Sequence, residues 1–526
     1  MNQIAWFLPF LLPGKEAFMS LIRRTGAVCT VYLAIISPLP GTAVFTAAQV
    51  PAAKFEVTTR LVLVDVVVTD SDGRPITGLT RDDFTILEQG KPQPVAVFSA
   101  EQLGAQPGPA AEVPPLPPNT YTNKVEYSKR GPLTIILMDA LNTPVKDQMY
   151  ARQQALEYLR NQYEKGQAAA VFALGDTLTV LQDFTTSPEL LRAALESHAV
   201  SRSSKVENRT DIAQPPLKEL LVGADAGAAR EVFERTRFAV NQFEAERIGL
   251  ATDLRAAATL EALAAIARAT AGYPGRKNLV WISGAFPLYI MPSSVYSAER
   301  AYSAQVTHTA NLLGEAQIAV YPVDARGLVG VDLAQPKTVD RGDFVRVTKQ
   351  LGAAPPPPPE PVYDPQATMK QLAEDTGGRA YINRNDIDRA VALSVADGSS
   401  YYTLGYYPVN KKWDGKFRNL KVELRRKGAE VRHRRGYWAT DPLAPVKDSA
   451  VEERELFAVL RGDPVPATGI TFTATVVPPP PATPAFPVDF LLDGNTLSFE
   501  PLADGRMRYN LHFYVVAFDP EGNQVA

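Results

Sequence analysis

Residues Leu133 to Thr143 read Leu-Thr-Ile-Ile-Leu-Met-Asp-Ala-Leu-Asn-Thr, and this stretch constrains the fold more than any other. An apolar, partly β-branched run stops abruptly at Asp139, and Asn142 and Thr143 follow before Pro144. A parallel strand buried on both faces has this texture, with polar side chains presented at its carboxyl end. In open α/β sheets that edge is where ligands bind. The stretch therefore predicts both an architecture and a place to look for chemistry.

The chain downstream continues the pattern. Ala168 to Leu174 reads as a second apolar strand after an amphipathic helix over Gln148 to Tyr163, and Leu178 to Gln182 as a short edge strand. Ser187-Pro188 opens a helix through His198, with proline at its first position. Residues 201–216 read as a polar, basic loop and Leu217 to Phe243 as helix. An Ala/Leu-rich helix over Leu254 to Ala271 stops at Gly272, Pro274 and Gly275. Further strands are expected at Asn278 to Ile282 and Ile318 to Val323, with a helix over Ser297 to Ala316 between them. Pro355 to Pro359 is an exposed insertion, Asp364-Pro365 starts a helix ending at Gly377-Gly378, and Ala380 to Ile382 reads as a last strand. The alternation predicts an α/β fold, a doubly wound, mostly parallel sheet of Rossmann type with right-handed crossovers.

β texture flanks this region. Residues 55–98 read as a small β module in which Phe55 to Thr69 alternates and then becomes Val-rich, with turn chemistry at Asp70 to Gly73 and Glu88 to Lys91, and Thr80 as a cap. Tyr401 to Tyr407, Leu420 to Leu424 and Glu430 to His433 read as strands on the other side. The division expected is a signal peptide over 1–48, an N-terminal β module over 54–100 and a Pro-rich linker over 101–130. The α/β domain follows over 131–398, then a β segment over 399–440 that packs with the N-terminal module. A β-rich domain over 441–526, read as incomplete, ends the chain. A length of 526 residues accommodates several such domains.

The amino terminus has the order of an export signal. Arg23 and Arg24 precede an apolar stretch from Gly26 to Ile36, and Thr46-Ala47-Ala48 supplies small residues for cleavage. Met19 is an alternative start. The apolar stretch is short of the ~20 residues a spanning helix needs, so no integral membrane segment is expected after cleavage. The product is placed in the periplasm, the cell envelope or outside the cell. Cys29, the one cysteine, leaves with the signal, so thiolate chemistry and disulfides are excluded from the mature chain. A formal net charge of −3 gives no reason to expect nucleic acid as partner.

With these motifs in hand, the chain resembles von Willebrand factor type A domain proteins, and more narrowly the VWFA-related proteins known from acidobacterial genomes. The carriers are Val-Thr-Asp-Ser-Asp-Gly-Arg-Pro (68–75), Gly-Leu-Thr-Arg-Asp-Asp-Phe (78–84), Met-Asp-Ala-Leu-Asn-Thr (138–143) and Pro-Gly-Arg-Lys-Asn-Leu-Val-Trp-Ile-Ser-Gly (274–284). Tyr-Pro-Val-Asp-Ala-Arg-Gly (321–327), Ala-Glu-Asp-Thr-Gly-Gly-Arg-Ala-Tyr (373–381), Tyr-Tyr-Thr-Leu-Gly-Tyr (401–406) and Arg-Gly-Tyr-Trp (435–438) complete them in order. The resemblance implies an adhesion or scaffold role toward a protein partner. It also implies a Mg²⁺ site above the sheet, with Asp-x-Ser-x-Ser, a Thr and a second Asp as ligands.

That site is degenerate here. Asp139 matches the first Asp and Thr143 the last hydroxyl, while Leu141 replaces the first Ser. Thr259 is the match for the Thr, with Thr252 as alternative, and Ser283 stands in place of the second Asp. Asn142 and Ser283 are read as part of the binding edge. Mg²⁺ demands octahedral oxygen ligation, so losing a carboxylate and a hydroxyl weakens any metal site. The competing reading has Asp139 and Asn142 capping the turn through backbone amides.

Other motifs carry less. Arg341-Gly-Asp343 and Arg461-Gly-Asp463 are short enough to recur by chance. Glu374 and Asp375 sit at a helix end, where solvation is expected. The tyrosines 401, 402, 406 and 407 are read as half core, half surface. Arg425 to Lys427 with Arg432 to Arg435 is either an anion-binding face or a solvated edge strand. The function expected is exported protein binding without catalysis, presenting the strand-end face and the loops at 200–216 and 327–364. A metal-dependent hydrolase using Asp139, or a purely structural envelope component, is the alternative.

Overall fold

The computed structural model describes residues 2–5, 28–36, 61–102, 116–124, 133–163, 167–198, 253–284, 303–327, 365–440, 465–477, 485–497, 500–501, 506–508 and 511–516. The helix expected over 217–243, both long loops, the polyproline insertion, Thr252 and the two Arg-Gly-Asp tripeptides lie outside these residues.

The chain opens with β1 (Asn2–Ala5) and β2 (Val28–Ile36), then β3 (Val62–Thr69), β4 (Phe84–Glu88), β5 (Lys91–Gln93), β6 (Val97–Gln102) and β7 (Thr120–Thr122). The α/β region runs β8 (Leu133–Asp139), α1 (Val145–Asn161), β9 (Ala168–Leu174), β10 (Leu178–Thr185), α2 (Pro188–Ser197) and α3 (253–270). It continues with β11 (Lys277–Ser283), α4 (Ser303–Glu315), β12 (Ile318–Asp324), α5 (Pro365–Thr376) and α6 (Ile387–Asp397). Then come β13 (Ser400–Tyr406), β14 (Phe417–Leu424), β15 (Glu430–Arg432), β16 (Gly436–Trp438), β17 (Phe472–Val476) and β18 (Ala485–Asp493). The short β19 (Glu500–Pro501), β20 (Met507–Arg508) and β21 (Leu511–Tyr514) follow.

Five strands form a mixed sheet in the order β10-β9-β8-β11-β12, parallel except for β10 at the edge. Every residue of β8, β9, β11 and β12 is buried, which is why their sequences are apolar throughout rather than alternating. Strand periodicity splits them between two cores. Ile135, Leu137, Leu279 and Trp281 pack against α3, Leu313 of α4 and Met369 of α5. Ile136, Met138, Val280 and Ile282 pack against Ala151, Ala155 and Leu159 of α1, Leu191 of α2 and Val391 of α6. Helix α2 is capped as its sequence predicts: the Ser187 hydroxyl accepts the Leu190 amide at 3.3 Å, ahead of Pro188.

Two elements differ from expectation. Ala380 to Ile382 makes a single bridge, Val323 to Tyr381, rather than a strand. The chain cannot lie flat there for long: Asn383 turns to φ 53°, out of the extended region. Second, α6 follows at once, burying Ile387, Ala390, Val391, Ser394 and Val395 at helical spacing.

The flanking segments share two sheets. One has the order β15-β3-β13-β6 and the other β16-β14-β4-β5, so residues 62–102 and 400–438 close over one core containing Val64, Val66, Ile86, Tyr402, Leu404 and Val422. The tyrosine row is not half exposed: Tyr401, Tyr402 and Tyr406 are buried and Tyr407 alone of the four is exposed. The reason is that β13 is an inner strand whose second face is also covered, by the amino end of the parallel sheet. The Arg276 amide donates to Tyr401 Oη at 3.0 Å. Gly275 makes this approach possible, since its φ is 78° and a Cβ would lie 2.6 Å from that hydroxyl.

A further sheet has the order β2-β18-β17-β7. Its strand β7 falls within the segment read as a Pro-rich linker. Its edge β2, read as the apolar part of the export signal, pairs parallel with β18 along nine residues. Among the described residues no helix is long and apolar enough to cross a membrane.

Candidate functional site

The carboxyl ends of β8 and β11 bring Asp139 and Ser283 to the same face, because Met138 and Ile282 are register partners and the next residue of each follows. Asp139 is 3% exposed. Its Oδ1 accepts the Asn142 amide at 2.9 Å. Its Oδ2 accepts three side-chain donors: Asn142 Nδ2 at 2.9 Å, Trp281 Nε1 at 3.0 Å and Ser283 Oγ at 2.8 Å. Burial pushes the carboxyl above its ordinary range, and these four hydrogen bonds pull in the opposite direction.

The remaining residues of the expected site divide. Thr259 is fully buried on α3 and meets the network through Asn142, whose Nδ2 donates to its Oγ1 at 3.0 Å. Thr143 is turned elsewhere; its Oγ1 accepts the Gly284 amide at 2.8 Å. Leu141 does not stand idle where a serine ligand would be. It is 0% exposed and belongs to the apolar core with Leu260 and Leu263, a burial worth about 1.5–3 kcal/mol. The loop is then stapled from α1, with Gln148 Nε2 donating to the carbonyls of Ala140 and Thr143 at 3.2 and 2.7 Å.

Two participants were not singled out from sequence. Trp281 supplies an indole N–H, a donor that ligates no cation. The signal for it was strand parity alone: two residues before Ser283, it shares that face. Asp324 ends β12 in register with Ser283. Its carboxylate is held by Arg326, Nε to Oδ1 at 2.9 Å and Nη2 to Oδ2 at 2.7 Å.

The donor set does not fit Mg²⁺. One oxygen of Asp139 already takes three donors, and the neighbouring carboxylate is neutralised by a guanidinium. Asn142 Oδ1 is a buried acceptor without a partner, but one amide oxygen cannot assemble the six-oxygen shell that Mg²⁺ requires. A cavity of ≈ 20 Å³ beside this sheet end is lined by Asp139 together with Met138, Thr143, Arg152 and His198.

No family model matches the chain, and no curated protein matches it in sequence. Similar solved structures include an aerotolerance-related membrane protein from Bacteroides fragilis, at 10% identity and a TM-score of 0.25, covering 50% of this chain and 98% of that one. BatB from Bacteroides thetaiotaomicron is similar at 11% identity and a TM-score of 0.22, covering 51% and 99%. The ArnB paralog VWA2 from Sulfolobus acidocaldarius is similar at 9% identity and a TM-score of 0.22, covering 76% and 80%. Scores this low leave the fold to be judged from the strand order and the site from its own geometry.

Proposed function

We propose that this is an exported, non-enzymatic binding or scaffold protein whose α/β domain is of the von Willebrand factor type A kind, with the cation replaced by a fixed hydrogen-bonded knot. The order β10-β9-β8-β11-β12 supports a doubly wound sheet, with strands counted outward from β8 on one side and β11 on the other. In such sheets the crevice used for binding opens where the order reverses, between β8 and β11 here. Asp139 and Ser283 sit there. One observation carries the reading: the Asp139 carboxylate is saturated by donors, Trp281 among them. A knot of this kind holds the βα loop rigid, so that a protein partner meets a preorganised surface rather than a metal.

A metal-dependent hydrolase is disfavoured by the same contacts, since four donors already compete for the Asp139 carboxylate, three of them on Oδ2. The amino-terminal pattern supports export, and cleavage at Ala48 would remove β1 and β2. Calorimetric titration of the purified protein with Mg²⁺ and Mn²⁺ tests the site. No saturable heat is expected; a stoichiometric heat that disappears in Asp139→Asn would reject the knot in favour of a metal centre. Proximity labelling in the native cell envelope tests the binding role, with a reproducible protein neighbour expected and only bulk envelope background counting against it.

A further inference from the structure

The amino end of the parallel sheet, where it docks on the β3/β13 sheet, gathers three cations whose hydrogen bonds go to neutral groups. Arg276 and Lys277 are 2% and 1% exposed. Arg276 Nη2 donates to Tyr321 Oη at 3.0 Å and to the Gly377 carbonyl at 2.9 Å. Lys277 Nζ donates to the Ala316 carbonyl at 2.7 Å. Arg434 Nη2 donates to the Leu63 carbonyl at 2.7 Å, with its guanidinium over the Tyr437 ring. Every one of these acceptors is neutral.

The nearby acids are mostly engaged. Asp397 forms an ion pair with Arg432, and Asp375 is held by Gln371 at 2.8 Å and faces Arg435 at 3.7 Å. Glu315, near Arg434, is exposed. Asp65 acts on Arg276, Lys277 and Arg434 alike, while its oxygens accept from Gln317 and Thr403. Asp65 is thus shared among three cations, with Asp397 acting on Arg276 as well and Glu315 on Arg434. Uncompensated buried charge is expensive, and a protein normally meets it with a counter-charge.

The geometry offers a place for one. A cavity of ≈ 30 Å³ lies between the sandwich and the α/β domain, lined by Arg276, Arg434, Asp65, Asn311, Gln317 and Asp375 among others. The Nε atoms of Arg276 and Arg434 are both buried without a hydrogen-bond partner. Arg434 as a whole is partly exposed, so the cavity is reachable along its side chain. Water would satisfy the two N–H groups but not the charge. We propose that this cavity is a binding site for a small oxyanion of the phosphate or sulfate class, gripped by Arg276 from the α/β domain and Arg434 from the sandwich. Guanidinium N–H groups match oxyanion geometry well. An anion held this way links the two domains, so occupancy tightens their docking. The site is at the opposite end of the sheet from Asp139 and stands whether or not that end binds a partner.

The test is thermal unfolding of the full chain with inorganic phosphate, ionic strength held constant with sodium chloride, in wild type and Arg434→Gln. A saturable rise in Tm is expected in wild type, at least tenfold weaker in half-saturating concentration for the variant. Phosphate also stabilises proteins generally by exclusion from their surfaces, so equal, unsaturating rises in both proteins would overturn the site, as would no rise in either. Should Arg434→Gln fail to fold, the ³¹P linewidth of phosphate with wild type decides. Broadening that saturates with phosphate and is reversed by excess sulfate supports the site, and an unbroadened resonance rejects it.

Discussion

The two ends of one parallel sheet solve the problem of buried charge in opposite ways. At the carboxyl end a single carboxylate, Asp139, collects four donors within 3.0 Å and needs nothing from outside. At the amino end three cations find only neutral acceptors within hydrogen-bonding range. Both ends hold deeply buried charge, with Asp139 at 3% exposure and Lys277 at 1%, while Arg434 is partly exposed. The difference teaches that burial alone does not mark a ligand site. What matters is how the charge is met: by direct hydrogen bonds at Asp139, and at a distance, chiefly through the shared Asp65, at the amino end.

The sharpest way to break this comparison is Asp139→Ala. It leaves the Trp281 indole, the Ser283 hydroxyl and the Asn142 amides facing a void with no acceptor. Each buried donor left unsatisfied costs about 1–3 kcal/mol, so a loss of roughly 3 kcal/mol or more is expected, read as a lowered urea midpoint at unchanged slope. A loss under about 1 kcal/mol would mean that the knot is not what holds the loop, and the contrast between the ends would fall with it.

Lys277 tests the other end with a smaller effect and a clear sign. Burial pushes its pKa down from 10.5 to about 8, against the pull of Asp65. The folded form therefore holds the proton less tightly than the unfolded form, and between pH 8 and 10.5 unfolding takes up protons. Stability contributed by this residue rises with pH through that window. Lys277→Met removes the buried charge, so about 1–2 kcal/mol of added stability is expected at pH 7. The advantage should shrink as pH climbs from 8 toward 10.5. A difference between the two proteins that stays flat over this range would show Lys277 to be adequately compensated as it stands.

Much of the frame was legible in sequence, for physical reasons that also explain what was not. Leu133 to Asp139 announces a strand because a segment buried on both faces must be apolar throughout. Ser187-Pro188 and Asp364-Pro365 announce helices because caps and fixed φ angles are local chemistry. Helix α6 was missed although Ile387, Ala390, Val391, Ser394 and Val395 keep helical spacing. Of the site, Asp139, Asn142, Thr259 and Ser283 do meet, while Thr143 turns to Gly284. Trp281 could not be told from an ordinary core tryptophan, since its indole partner lies 142 residues away. Arg276 and Lys277 show no sign of burial in sequence, since cations are almost never fully buried.

The finest distinction concerns Asp324, one strand beyond Ser283. Were the carboxyl end a single ionic site, Asp139 and Asp324 would act together. The geometry instead gives Asp324 its own partner in Arg326, whose side chain is 27% exposed. Asp324→Asn should then cost about 1 kcal/mol or less, in the range of partly solvated ion pairs. Combined with Asp139→Asn in a double-mutant cycle, the two losses should add to within about 0.5 kcal/mol, as expected of sites without a shared partner. Coupling of 1 kcal/mol or more would mean that Ser283 transmits between the two carboxylates. The carboxyl end would then be one extended anionic network, closer in kind to the charged amino end than the separate hydrogen bonds imply.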